Sequence, residues 1–369
     1  MKKLLTSVLT SALLIGAVAT LSGCGAKDVE LALITDVGDI DDESFNQSSW
    51  EALRDYAVEN NKSYDYYRPT EDSTPARVKA IEQAITKGAK VVVCPGYLFE
   101  DAIYEVQTKY PDVKFLLLDG EPHTADYSTY KTEANTACVL YQEQVSGYLA
   151  GYAAVMDGYR SLGYCGGMAV PAVQRFGTGY VQGIDAAAQA LDVEVSINYY
   201  YANAFQATDD ATAKMKEWYK SGTEVVFACG GKVYQSVVEG CKEKADGKWI
   251  GVDVDQASVD ANVITSAVKG LRPSVQSALE LYYAGKWEEI GGKTANLGLG
   301  STFGSLDAKD YVGLPTATNS WRFAQYTQEQ YNTLVAAIGA GTVAISGATD
   351  VAPTVSAKTT VNWISAFAN

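Results

Sequence analysis

At 369 residues the chain is long enough for two globular domains rather than one, and 47% hydrophobic with 20% charged residues is a composition that builds packed cores. A net charge of −15 excludes the basic face that nucleic-acid binding needs and argues against docking on an anionic membrane by charge alone. The 25 tyrosines supply amphipathic surface as well as core aromatics.

The chain opens with Met1-Lys2-Lys3, the apolar run "LLTSVLTSALLIGAVAT" and then "LSGC". A basic start followed by a short apolar stretch, interrupted by Ser and Thr, predicts a signal peptide over residues 1–23 rather than an anchor helix. Ser22-Gly23-Cys24 resembles a bacterial lipobox. That resemblance implies lipidation of Cys24, a tether over residues 24–28, and a place on the extracytoplasmic face of the cell membrane.

Next come short, largely β-branched runs, most of them ending in Gly or Asp: "ELALITDVG", "AKVVVCPGY", "VKFLLLDGE", "RSLGYCGG", "VEVSINYY", "EVVFACGG" and "KWIGVDVD". Such continuous apolar runs predict parallel strands buried on both faces. Helical patterns separate them. Trp50, Leu53, Tyr56 and Ala57 share one face, as do Val78, Ile81 and Ile85 before Gly88, and Met215, Trp218 and Tyr219 before Gly222. The alternation predicts an α/β fold with mainly parallel sheets. The series runs twice, the first run ending in the helix "YQEQVSGYLAGYAAVMDG" and the second starting at "LGYCGG". Ligands of such sheets bind beyond the carboxyl ends of the strands, where Asp36, Gly96, Asp119, Gly230 and Asp253 fall. Two lobes presenting strand ends imply a cleft between them. The tail "GAGTVAISGATDVAPTVSAK" reads as a strand pair or a loose edge.

The acidic stretch "ITDVGDIDDESFNQSSW" fails as an EF-hand, because counting from Asp36 puts Asp41 sixth and from Asp39 puts Ser44 sixth, where Gly is needed. Its outer acids Asp39, Asp41, Asp42 and Glu43 read as solvated loop or capping groups, with Ser44 or Asp42 capping the helix that runs to Asn60. "CGGKVYQS" lacks the Walker spacing and "GYCGGMAVP" is not GxGxxG, so the glycines mark sharp turns rather than phosphate cradles. Cys94, Cys138, Cys165, Cys229 and Cys241 contain no CxxC pair and are odd in number, which argues against zinc and a complete disulfide framework. Cys94 and Cys229 read as small buried hydrophobes. The single histidine, His123, is expected on a surface loop. A two-carboxylate hydrolase stays open, since carboxylate separation decides that chemistry.

"TDVGDIDDESFNQSSWE" resembles the Asp-x-Gly…Asp-x-Ser-Phe-Asn-Gln signature of the basic membrane protein family, lipoproteins that serve ABC transporters as substrate-binding components and include purine nucleoside receptors. The likeness continues in order through "YPDVKFLLLDG", "GYLAGYAAVM", "GYCGGMAVPAVQRFGTGYVQGIDAA" and "GVDVDQASVDANVITSAVKG". It implies a type I periplasmic-binding-protein fold: two Rossmann-like lobes with parallel sheets and an interlobe cleft. The lobes are expected over 29–157 with 258–296, and over 158–257 with 297–369. The resemblance further implies that Phe45 and Phe205 stack on a nucleobase and that Asp36, Asn46 and Asp119 bond the base or orient its neighbours. Asp253 would accept from ribose hydroxyls and Lys269 would reach the sugar. The plainer alternatives are a hydrophobic staple for Phe45, a core residue for Phe205 and a surface charge for Lys269; one of Asp253 and Asp255 is expected to be structural. No catalysis, cofactor, metal or nucleic-acid partner is implied; the expected partners are a small molecule, an ABC permease and its ATPase. Riboflavin, another heterocycle or a sugar is the alternative ligand, and a nucleoside hydrolase using Asp36 and Asp253 the alternative activity. "CGGKVYQS" stands where the family has Gly-Gly-Thr-Gly, which places Lys232 and Tyr234 near the cleft, and the segment after Asp119 is longer than expected.

Overall fold

The computed structural model describes residues 29–36 and 38–365, so the expected signal peptide, Cys24 and the tether lie outside the described residues. The first lobe starts with β1 (Leu31–Ile34), α1 (Phe45–Glu59), β2 (Tyr64–Tyr67), α2 (Thr74–Thr86), β3 (Val91–Pro95), α3 (Glu100–Lys109), β4 (Lys114–Leu118) and β5 (Thr136–Tyr141). The chain then crosses into α4 (Glu143–Met156), β6 (Ser161–Gly166), α5 (Pro171–Leu191), β7 (Val195–Tyr201), α6 (Asp209–Lys220), β8 (Val225–Cys229), α7 (Tyr234–Cys241), β9 (Lys248–Asp253) and β10 (Val263–Lys269). It returns for α8 (Leu271–Tyr283) and β11 (Lys293–Leu297), and ends with β12 (Val312–Gly313), α9 (Gln328–Gly339) and β13 (Thr359–Trp363).

The strands form two sheets, ordered β11-β5-β4-β3-β1-β2 and β12-β10-β9-β8-β6-β7-β13. Every pairing is parallel except β12 with β10. The inner strands are buried along their whole length, β1, β3 and β8 among them, which accounts for their unbroken apolar runs. In each sheet the strand order reverses at one point, between β1 and β3 in the first and between β6 and β8 in the second. A crevice opens at the carboxyl ends there, because the loops on either side leave in opposite directions.

Two segments fall on the other side of the boundaries expected from sequence. Strand β10, expected in the first lobe within 258–296, extends the second sheet beside β9. The β9–β10 connection carries no helix, so the alternation that marks each lobe gives no sign of it. Helix α4, expected at the end of the first lobe, packs Val145, Leu149 and Ala153 into the core of the second with Phe176, Tyr180 and Ile184. The crossings therefore follow β5, β10 and β11. The tail after α9 runs as turns and coil until β13 joins the edge of the second sheet beside β7. His123 is buried rather than on the surface, between Glu100 and the carbonyl of Thr124. It is drawn in because both ring nitrogens find hydrogen-bond partners there and Tyr127 stacks on it at 4.2 Å. The five described cysteines are free and buried.

Helices α4 and α5 touch backbone to backbone. A Cβ on Gly147 would lie 2.0 Å from the Phe176 carbonyl oxygen, one on Gly179 2.1 Å from that of Gln144, and one on Gly183 2.0 Å from that of Tyr148. Those approaches bring Glu143 at the start of α4 against Arg175 on α5. Gly147→Ala and Gly183→Ala should each destabilise the protein by about 1–3 kcal/mol through overpacking, measured as a lower denaturation midpoint at unchanged slope.

Candidate functional site

The loop after β1 forms one wall of the cleft. Asp36 Oδ1 accepts from the Gly38 backbone N–H at 2.6 Å and from Asn46 Nδ2 at 2.9 Å. Asp42 caps α1 from beneath, accepting from the backbone N–H groups of Ser44, Asn46 and Gln47 at 2.9, 3.0 and 3.0 Å. Of the two capping candidates the role falls to Asp42, which is buried at 2% exposure rather than solvated. Burial pushes its carboxyl up to about 6, against the pull of those N–H donors. Ser44 is thereby free to donate from Oγ to Asp253 Oδ2 at 2.6 Å, across the cleft. Burial also raises the pKa of Asp36, opposed by its bonds from Gly38 and Asn46.

The floor is a buried ion cluster. Lys269, at the end of β10, sets Nζ 2.6 Å from Asp119 Oδ2, 3.5 Å from Glu143 Oε1 and 3.7 Å from Asp253 Oδ1. Arg175 Nε donates to the other oxygen of Glu143 at 2.6 Å. Burial alone would discharge Lys269, but the carboxylates outweigh it and hold its pKa above the ordinary lysine range. Burial raises Glu143 and Asp253 in turn, with the cations opposing. Asp119 directly follows β4 and Asp253 ends β9, with φ of 61° and 64°, a left-handed turn that Asp tolerates better than most side chains. Asp119 Oδ1 is buried without a hydrogen-bond partner. Asp255 belongs elsewhere: it accepts from Ala257 N–H and from the Ser320 hydroxyl, outside the cleft.

Two phenylalanines enter from opposite lobes. Phe45 lies beside Gly96, whose added Cβ would sit 3.8 Å from its ring. Phe205 lies on Gly167 and Gly230, where a Cβ would come within 2.6 and 3.1 Å of its ring, so only glycine leaves room for it. These glycines occupy the switch points of the two sheets. The cleft is lined by every ligand-contact candidate named from sequence: Asp36, Phe45, Asn46, Gly96, Asp119, Phe205, Gly230, Asp253 and Lys269. Lys269 Nζ also lies over the Phe45 ring, 4.7 Å from its centroid. Lys269 is buried in the cleft floor rather than a surface charge.

Sequence reasoning missed Glu143, Arg175, Phe176 and Tyr97. The first two are contributed by helix starts far apart in the chain, and only the glycine contacts of α4 and α5 join them. Tyr234, expected near the cleft, instead stacks on Trp249 in an outer core, ring centroids 5.9 Å apart. The lobes are closed on each other: besides Ser44 to Asp253, Gln256 Nε2 donates to the Glu43 carbonyl at 2.8 Å and Lys269 bridges to Asp119.

Replacing Lys269 by Met leaves buried acids uncompensated and should cost about 3–5 kcal/mol at neutral pH, read from urea denaturation. Asp42 has the opposite sign of linkage to an ordinary paired carboxylate. Its folded pKa of about 6 exceeds the reference value of 3.8, so between those values the folded state holds the extra proton and this group favours folding as pH falls. Going from pH 7 to pH 5, the melting temperature of the wild type should therefore rise relative to that of Asp42→Asn.

A family model for ABC transporter substrate-binding proteins described as PnrA-like matches residues 29–330. The chain is 29% identical to the ABC transporter nucleoside-binding protein BmpA of Lactococcus lactis subsp. cremoris, over 69% of this chain and 75% of that one. It is 28% identical to a CD4+ T-cell-stimulating antigen of Listeria monocytogenes, over 78% and 80%. Among solved structures, ABC transporter solute-binding proteins from Aeropyrum pernix and Conexibacter woesei superpose with TM-scores of 0.66 and 0.64 at 21% and 23% identity, each covering 86% of this chain and 87% and 99% of their own. These neighbours share the type I solute-binding fold, two parallel-sheet lobes around a cleft. By the family model, which spans most of the chain, this protein belongs to the Bmp family of ABC transporter substrate-binding proteins.

Proposed function

We propose that the cleft captures a purine nucleoside and that the protein presents it, in the closed state, to an ABC permease and its ATPase. The observation that carries this reading is the pair of phenylalanines, Phe45 and Phe205, facing one cleft from opposite lobes above a floor of carboxylates. A purine is flat, and aromatic side chains hold such a ring at about 1–3 kcal/mol per stacked base. Carboxylates only accept hydrogen bonds, which suits ribose hydroxyls and ring N–H groups, and the unpartnered Asp119 Oδ1 is such an acceptor. Acids outnumber cations around the cleft, and each cation is already paired, so a phosphate is repelled and nucleosides are favoured over nucleotides. The name of the Lactococcus relative, a nucleoside-binding protein, supports the same class. Lipidation of Cys24 and anchoring on the extracytoplasmic face belong to this reading too; three similar Pyrococcus proteins are named as lipoproteins.

The test is calorimetric titration of residues 25–369, refolded to remove carried-over ligand, with guanosine, inosine, adenosine, cytidine, riboflavin and ribose. Purine nucleosides should bind and ribose should be silent, and Phe45→Ala and Phe205→Ala should each weaken binding roughly ten- to hundredfold. Riboflavin or a sugar binding while every nucleoside is silent overturns the ligand assignment.

A further inference from the structure

We propose that Lys232 is a positioning residue: it latches the second lobe onto the loop carrying Asp39 and Asp41 and so sets the spacing of the two aromatic faces. The inference rests on the aromatic cleft described above. Lys232 lies in the short 3-10 turn Gly231–Val233 that follows β8. At its backbone end it is tied to one aromatic face, because its N–H donates to the Phe205 carbonyl at 2.8 Å. The neighbouring Gly231 permits that approach, since a Cβ there would lie 2.7 Å from the same oxygen. At its other end Nζ crosses the cleft mouth to Asp41 Oδ1 at 2.8 Å and Asp39 Oδ2 at 3.4 Å. Asp39 and Asp41 sit between Asp36 and the Asp42 cap, in the loop that delivers Phe45 to the cleft. Arg68, on the first lobe, also pairs with Asp39 and so holds the acceptor side in place. One side chain thus joins the Phe205 segment to the Phe45 loop.

Its place at the rim separates it from the other contacts between lobes. The Lys269 side chain is 2% exposed and that of Lys232 24%, with Asp41 at 78%. Salt screens exposed pairs and barely reaches buried ones. Closure should therefore have a salt-sensitive part set by Lys232 and a salt-insensitive part set by Lys269, Ser44 and Gln256. The hydrogen bond from Lys232 lowers the pKa of Asp41, and Asp41 raises that of Lys232, so both stay charged across neutral pH. In sequence this lysine stands in "CGGKVYQS", where the chain departs from the Gly-Gly-Thr-Gly it otherwise resembles.

The experiment measures the distance between spin labels on the exposed Thr70 and Asp210, one on each lobe, at low and high salt without added ligand. It compares wild type, Lys232→Met, Asp41→Asn and the charge swap Lys232→Glu with Asp41→Lys. The closed population should fall with salt in wild type, be smaller and flat with salt in the two single variants, and recover in the swap. In parallel, guanosine release followed by stopped flow should be roughly two- to fivefold faster in Lys232→Met, with its salt dependence lost. Should one single variant fold poorly, the other carries the same comparison from the opposite side of the latch. Distance distributions of both single variants that match wild type at low and high salt overturn the proposal. Failure of guanosine to bind at all would defeat the ligand reading alone, because the label distances decide the latch without it.

Discussion

The ammonium of Lys269 holds the two lobes to a single electrostatic requirement. It is buried among carboxylates from both sides, Asp119 at the end of the first sheet and Asp253 and Glu143 from the second lobe. Taking such charges out of water is costly, and it is tolerated only where partners and hydrogen bonds are all in place. Arg175 completes the set by paying one of the carboxylates back from α5. Much of the rest of the fold serves this cluster. The glycine contacts of α4 with α5 bring Glu143 to Arg175, the crossing after β10 delivers Lys269, and the left-handed turns after β4 and β9 aim Asp119 and Asp253 inward.

Above that floor the two lobes repeat one device. Each sheet reverses its strand order once and each reversal is marked by glycines beside a phenylalanine: Gly167 and Gly230 make room for Phe205, and Gly96 lies at ordinary contact distance from Phe45 at the start of α1. The aromatic pair is therefore a product of topology as much as of residue choice. A flat ligand of the kind proposed would touch both rings only with the lobes shut, and its binding energy would then be coupled to closure. The acidic loop after Ile34 then has two separate tasks. Its inner acid, Asp42, holds the start of α1, and its outer acids, Asp39 and Asp41, meet the other lobe.

The parts of this arrangement that depend on local pattern were legible in the sequence. Buried parallel strands announce themselves as unbroken apolar runs, and the residues at their ends, Asp36, Gly96, Asp119, Gly230 and Asp253, could be named as cleft candidates from that alone. Phe45, Asn46, Phe205 and Lys269 came from resemblance, because nothing in their local spacing distinguishes a cleft ring from a core ring. What stayed hidden was long-range. Glu143 and Arg175 carry no local signal, and β10 was expected in the first lobe, because pairing across 32 residues or a helix-free parallel connection leaves no periodic trace. His123 was misplaced for a similar reason: the acceptor that draws it inside, Glu100, begins a helix 23 residues earlier.

The buried thiols have a consequence of their own. Cys94 and Cys138 lie in the first sheet, Cys165 and Cys229 in the second, and Cys241 at the end of α7. Burial drives each thiol away from its reactive thiolate form, with Cys138 and Cys165 pushed up to about 12. While the lobes stay folded these sulfurs are chemically silent. Each lobe thus carries its own internal clock, since alkylation of Cys94 or Cys138 in the first sheet and of Cys165 in the second can proceed only as fast as the sheet around it opens. The order in which the sulfurs become reactive gives the order in which the two halves of the molecule come apart.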